Sequence, residues 1–192
     1  MGAVSFLFVL VCLCLSVVAS NAGMQCTLEF GKPVDWWFLY KLPDGYRYAY
    51  KDSTMPDAQP LQIAPAPYFI NRTTDGPLGS TLHQVYEDKT GENTAYAIYN
   101  DERPPTYSTP DWPSSDSAHA KGVMASDGTT GFWLVHSTPK FPDLNAINFT
   151  FPRGGTIYGQ SFLCLSLSNE EINTLALNLQ VGLLLCSPLT CI

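Results

Sequence analysis

The stretch Val34-Asp35-Trp36-Trp37-Phe38-Leu39-Tyr40-Lys41 constrains the fold more than any other. Bulky aromatic and aliphatic side chains follow one another there almost without a break, so the segment reads as a buried strand. Pro43-Asp44-Gly45 supplies turn chemistry directly after it. Tyr46 to Lys51 then alternates aromatic with other residues, and the two segments together read as a hairpin. Residues 52–67 hold four prolines and little periodicity, which predicts a loop. Leu78, Leu82, Val85 and Tyr86 recur at helical spacing and predict a short amphipathic helix.

Thr94 to Tyr99 is a further strand candidate. Residues 103–113, rich in proline, predict an irregular surface loop. His119–Ala125 and Phe132–His136 read as two strands joined through 126–131, a hairpin with a longer loop. Ile157–Leu167 is another apolar strand. Ser168 with Glu171 three residues on forms a capping box, opening a helix through about Leu179. Strands mixed with a few helices predict an α/β or α+β layered domain.

Residues 1–23 contain no charged side chain, and Phe6 to Val18 is apolar except for Ser16. The run is too short for a membrane span and fits a secretory signal peptide, with small residues at Val18-Ala19-Ser20 and Ser20-Asn21-Ala22 as cleavage signals. No membrane association is expected once it is removed. Cys26, Cys164, Cys186 and Cys191 then remain in an oxidising compartment, and four cysteines allow three pairings. Asn71-Arg72-Thr73 and Asn148-Phe149-Thr150 are glycosylation acceptors, in keeping with that route. Seventeen acidic residues against ten basic ones give a net charge of −7. That excludes a binder of nucleic acid working by bulk charge at neutral pH, but not an enzyme of acid compartments.

No CxxC or Cys/His cluster occurs, so neither zinc nor another cofactor is expected. The chain has three histidines. In a strand, His119 and Lys121 would project from one face and stand side by side, where both can grip a phosphate oxygen. Spacing alone favours a solvent-facing polar pair on an edge strand. His136 closes the neighbouring strand and, if the two strands pair, approaches His119. His83 reads as surface or packing. Asp101 and Asp127 lie in loops, where either can orient a histidine.

Several blocks in one order resemble the deoxyribonuclease II family. They are Pro33-Val34-Asp35-Trp36-Trp37 leading to Tyr40-Lys41-Leu42-Pro43, then Tyr99-Asn100-Asp101 and His119-Ala120-Lys121-Gly122-Val123. Gly131-Phe132-Trp133-Leu134-Val135-His136-Ser137-Thr138-Pro139-Lys140-Phe141-Pro142 and Tyr158-Gly159-Gln160-Ser161-Phe162-Leu163-Cys164 complete the set. The resemblance runs from Cys26 to about Leu179.

The resemblance implies a phospholipase D-like fold, a mixed sheet flanked by helices, with two similar halves facing each other across the site. It implies hydrolysis of DNA in acid without a metal, leaving 3′-phosphate ends. One histidine attacks phosphorus to form a phosphohistidine, a second protonates the leaving 5′-oxygen, and lysines stabilise the phosphoryl charge. His119 and Lys121 match the first His-x-Lys pair, and His136 matches a further histidine for local support or substrate contact. Cys26 and Cys164 match a family disulfide. Family members are longer and carry a second His-x-Lys, which this chain lacks. The expected organisation is a signal peptide at 1–23, the N-terminal half of the family architecture at 24–180, and an unmatched apolar tail at 181–192. A truncated chain of this kind needs a homodimer or a missing C-terminal half to complete the site. The alternative is a secreted, inactive relative that binds nucleic acid or protein. Either would reside in the lysosome or outside the cell.

Overall fold

A computed structural model describes residues 23–66, 68–88, 94–106 and 119–183, with side chains through 179. The expected signal segment, most of the proline-rich loop and the tail with Cys186 and Cys191 lie outside the described residues. The aromatic run forms β1 (Trp36–Lys41) and pairs antiparallel with β2 (Tyr48–Asp52), as the turn chemistry predicts. β3 (Gln62–Ile63) is a two-residue strand inside the segment expected to be loop. It extends the sheet by pairing with Ala49 and Tyr50, a contact too short to leave a period in the sequence.

β4 (Ala95–Tyr99), β5 (Gly122–Ser126), β6 (Thr130–His136) and β7 (Gln160–Ser168) complete, among the described residues, a seven-stranded sheet in the order β3-β2-β1-β7-β6-β5-β4. Every neighbouring pair is antiparallel. The mixed sheet expected from the resemblance is therefore corrected to an antiparallel one. Parallel neighbours would need a crossover between paired strands, and the short hairpins β1–β2 and β5–β6 provide none. β5 begins at Gly122 rather than His119, because its partner β4 ends opposite it at Tyr99. β7 begins at Gln160 rather than Ile157, because Arg153–Thr156 form a 3-10 turn and the Ile157 carbonyl is engaged by the Asp44 N–H.

Period-two alternation sorts the sheet into two faces. Trp37, Leu39, Phe132, Leu134, Phe162 and Cys164 share the buried one. Helix α1 (Pro77–Asp88) covers it with Leu78, Leu82, Val85 and Tyr86, the residues picked out by spacing. Trp37 Nε1–H donates to Thr81 Oγ1 at 3.2 Å, fixing α1 against β1. Phe141, Phe149 and Phe151 from the β6–β7 connection close the core around Phe162. Burial of apolar surface in this core is the dominant favourable term in folding. A disulfide joins Cys26 to Cys164, as the resemblance implied.

Helix α2 (Asn169–Leu183) crosses the other face over β5, β6 and β7. Its start is the expected capping box: Glu171 Oε2 accepts the Ser168 N–H at 2.8 Å, and Ser168 Oγ accepts the Glu171 N–H at 3.3 Å. Among the described residues no helix is long and apolar enough to cross a membrane.

Candidate active site

Register places the site. Tyr99 pairs with Gly122 and Gly122 with Val135, so Asn100, Lys121 and His136 fall in one row just past the paired ends of β4 and β5. The His136 N–H donates to the Lys121 carbonyl at 3.1 Å and holds that row. Gly122 is required at its place. A Cβ there would stand 2.2 Å from the Tyr99 hydroxyl and 2.6 Å from the Leu134 carbonyl. Trp133 Nε1–H in turn fixes that hydroxyl at 2.9 Å.

Lys121 is buried, at 3% exposure, and is no solvent-facing edge residue. Its Nζ donates to Asp101 Oδ2 at 2.7 Å. His119 is the opposite case, with 89% of its side chain exposed, and its Nδ1 contacts the same Asp101 oxygen. The expected side-by-side pair on one strand face is thus corrected: His119 and Lys121 both precede the strand and converge on one carboxylate from different depths. Asp101 is itself mostly buried, and its Oδ1 has no hydrogen-bond partner.

The turn carrying Asp101 is anchored on both sides. Asn100 Nδ2 donates to the Phe141 carbonyl at 2.7 Å, and Asn100 Oδ1 accepts the Glu102 N–H at 3.0 Å. Phe141 precedes a cis proline in the 137–143 loop. Ser137 ties that loop back to β7, where its Oγ accepts the Ser161 N–H at 3.0 Å. Lys140 stands at the rim, 3.5 Å from Glu102.

His136 lies beneath the row, 6% exposed. Its ring stacks on Phe162 at 5.8 Å and meets Phe141 edge-on at 5.4 Å. Neither ring nitrogen makes a well-formed hydrogen bond. Burial first, and the Lys121 ammonium second, push its pKa down to about 3, although the Thr138 backbone and Asp101 pull the other way. A ring held neutral through the mildly acidic range cannot deliver a proton as an imidazolium there. His136 is brought to the site, but as its apolar-lined floor and not as a group facing solvent.

Of the two carboxylates that can orient a histidine, the fold selects Asp101. Asp127 sits at the far end of the β5–β6 hairpin, where it accepts the N–H groups of Thr129, Thr130 and Met24. Burial opposes ionisation there, but those donors hold its carboxyl below the usual range. His83 lies on the α1 surface, 3.0 Å from Glu87. Asn71 and Asn148, the residues expected as glycosylation acceptors, are both exposed. Sequence reasoning missed Asn100, and its place between Tyr99 and Asp101 was the one available signal. Among the described residues no group of three or more His, Cys, Asp or Glu side chains is placed to hold a metal ion.

The site can present one exposed imidazole nitrogen, His119 Nε2, beside a buried cation, with a shared carboxylate setting both. Comparison with known proteins agrees with the ordering of its motifs. The family model described as Deoxyribonuclease II matches residues 25–185. Deoxyribonuclease-2-beta of Rattus norvegicus is 37% identical over 171 residues, covering 84% of this chain and 45% of that protein. Deoxyribonuclease-2-alpha of Bos taurus is 35% identical over 154 residues, covering 74% and 40%. Cell-death-related nuclease 7 of Caenorhabditis elegans is 36% identical over 166 residues, covering 81% and 40%. This chain spans less than half the length of each of these relatives. A match over most of its own residues, with the His119, Lys121 and His136 segments inside it, means that the chain belongs to the deoxyribonuclease II family.

Proposed function

We propose that this chain carries one half of the catalytic machinery of an acid endonuclease that cleaves DNA to 3′-phosphate ends without a metal. The observation that carries the reading is the single Asp101 oxygen shared by His119 Nδ1 and Lys121 Nζ. A carboxylate accepting from Nδ1–H fixes the tautomer with its lone pair on Nε2. That nitrogen attacks phosphorus, forming the N–P bond as the P–O5′ bond breaks and the 5′-oxygen takes a proton from a second acid. Water then attacks the phosphohistidine, breaking the N–P bond and returning the imidazole with a 3′-phosphate product. The Lys121 ammonium offsets charge on the phosphoryl oxygens.

In-line displacement needs the second acid opposite the nucleophile. His136 cannot serve, being buried and neutral. A second copy of the chain, or a C-terminal half, supplies that acid in the proposal, within the phospholipase D-like arrangement that the resemblance implies. DNA is the proposed substrate, and the secretory route, glycosylated and lysosomal or extracellular, is the proposed location. A second reading, an inactive relative binding nucleic acid or protein, draws on the single exposed imidazole of the described site.

Plasmid nicking in EDTA at mildly acidic pH tests the reading, with protein sized by light scattering. Activity should survive EDTA, rise with assembly, and vanish in His119→Ala. Restoration by magnesium after loss in EDTA would sink the mechanism. A strictly monomeric preparation that nicks DNA through His119 would sink the two-part site.

A further inference from the structure

At the far end of the sheet from the site, the chain is tied into the fold from Met24 onward. The Met24 N–H donates to Asp127 Oδ2 at 2.7 Å. Gln25 exchanges two hydrogen bonds with Gln84 of α1, and the Cys26 N–H donates to Ser166 Oγ at 2.9 Å. A segment near a terminus is ordered this far only when such contacts hold it. Gly23 has room for no side chain. A Cβ there would stand 2.2 Å from Thr130 Oγ1 and 3.0 Å from Asp127 Oδ2. The Thr130 hydroxyl is buried and has no hydrogen-bond partner.

Asp127 meets this segment as a carboxylate held only by backbone. Its Oδ1 accepts the Thr129 and Thr130 N–H groups at 2.8 and 2.9 Å, and its Oδ2 accepts that of Met24. Against the burial that opposes ionisation, these donors keep the carboxyl below its usual range. No Lys, Arg or His side chain pairs with it among the described residues. α2 begins against the same turn, where the Asn169 N–H donates to the Thr129 carbonyl at 3.2 Å, and Glu170 and Glu171 follow with further negative charge. α1 meets the segment through the neutral Gln84. Two atoms bonded to one Cα lie about 2.5 Å apart, so Gly23 N is within about 5.5 Å of Asp127 Oδ2 and about 5 Å of Thr130 Oγ1. As a chain amide that nitrogen has one proton and no charge. As a terminal ammonium it has three donors and a full charge.

We propose that the chain is processed by hydrolysis of the Ala22–Gly23 peptide bond, and that the Gly23 ammonium so formed docks on Asp127 Oδ2 and the Thr130 hydroxyl. Water adds across the C–N bond, leaving the Ala22 carboxylate on the released segment and the protonated amine on the chain. A terminal glycine turns freely about its Cα–C bond, so the amine reaches both oxygens while the Met24 bond stays in place. The ammonium then gives Asp127 a charge-assisted bond and the orphaned hydroxyl a donor. Of the two cleavage signals, this selects Ser20-Asn21-Ala22 over Val18-Ala19-Ser20, which would leave two residues ahead of Gly23 and keep its nitrogen an amide. The inference rests on the secretory reading for the cleavage and not on the nuclease chemistry. The Asp127 turn closes the hairpin whose other end carries Lys121 and His136, so processing pins the hairpin on which the site is built.

N-terminal sequencing of the chain recovered from the medium of secreting cells tests the cleavage, and Gly23 should be its first residue. A chain that keeps the whole leader removes the secretory reading and the inference with it. A first residue of Asn21, or any other than Gly23, removes the inference alone. Titration of the same chain with carbon-13 dimethylated amines, followed by NMR, tests the docking. The terminal amine should hold its proton at least tenfold more tightly than an ordinary α-amino group of pKa about 7.7–8.0. Asp127→Asn should return it to that range. A second variant leaves Asp127 untouched and retains Ala22 ahead of Gly23. Its unfolding constant in urea at pH 7 should be about fivefold larger than that of the chain starting at Gly23. The difference should vanish when both chains carry Asp127→Asn, a comparison in which the fixed cost of the substitution cancels. An ordinary pKa in the parent, equal stability of the two chains, or a difference that persists in Asp127→Asn would each overturn the docked ammonium.

Discussion

His136→Phe should make the chain more resistant to acid than it is. In the folded chain burial and Lys121 hold the His136 pKa at about 3, against 6.5 for the unperturbed group. The unfolded chain therefore takes up a proton that the folded ring refuses, and stability falls as pH drops through 6.5. The loss continues until about pH 3, where both forms are protonated. At pH 5 the imbalance is 1.5 pH units below the unfolded value, which is worth about 2 kcal/mol. At pH 4 it reaches about 3 kcal/mol by the same relation. The substituted phenyl group would keep a ring between Phe162 and Phe141 without a titrating group, so this part of the pH dependence disappears. Urea unfolding followed by tryptophan fluorescence at pH 7 and pH 5 measures it. The stability gap between variant and parent should shift by about 2 kcal/mol in favour of the variant on acidification. Because the change with pH is read, any fixed packing penalty of the larger ring cancels. Parallel pH dependences in the two proteins would refute a neutral, buried His136.

Replacing Cys26 and Cys164 together by alanine opens a loop spanning 138 residues, and the entropic model puts the loss near 5 kcal/mol, less if the unfolded chain stays compact. Denaturant titration measures that loss, and non-reducing peptide mapping of the parent should recover the linked pair. Gly122→Ala forces a methyl group against the Tyr99 hydroxyl and the Leu134 carbonyl, and should cost about 1–3 kcal/mol by the same titration. Asp101→Asn leaves the Lys121 ammonium buried without its counter-charge, so it should destabilise by about 3–5 kcal/mol at neutral pH. Asp101→Asn with Lys121→Met should recover part of that loss, and additive effects in this cycle would mean that the pair is not coupled.

Much of the local structure is legible in the sequence because local chemistry decides it. The Trp36–Lys41 strand, the β1–β2 and β5–β6 hairpins and α1 follow from periodicity and turn residues. Ser168 and Glu171 announce the start of α2 because both halves of its cap lie within one turn. What depends on distant partners is not legible. Lys121 reads as a surface residue until Asp101, 20 positions away, is brought against it. Nothing local separates Asp101 from Asp127, since each is an aspartate in a loop. The 3-10 turn before β7 and the two residues of β3 exist only because other segments dock on them. His119, Lys121 and His136 stand out by resemblance of whole blocks, whereas their unequal exposure is a property of the assembled sheet.

The strand order has a consequence for how the polypeptide is made. β7, the last of the described strands in sequence, lies between β1 and β6. Until it leaves the ribosome, β3-β2-β1 and β6-β5-β4 are separate three-stranded pieces, and the strands that will become the middle of the sheet, β1 and β6, are bare edges. Such edges pair readily with other chains. Cys164 travels in that same strand, so the Cys26–Cys164 bond cannot form until β7 has been made. Closure thus joins hydrogen bonding on both sides of β7 with oxidation in one event. Chains paused or cleaved before Gln160 should be the form most exposed to aggregation and to disulfide exchange with the wrong partner.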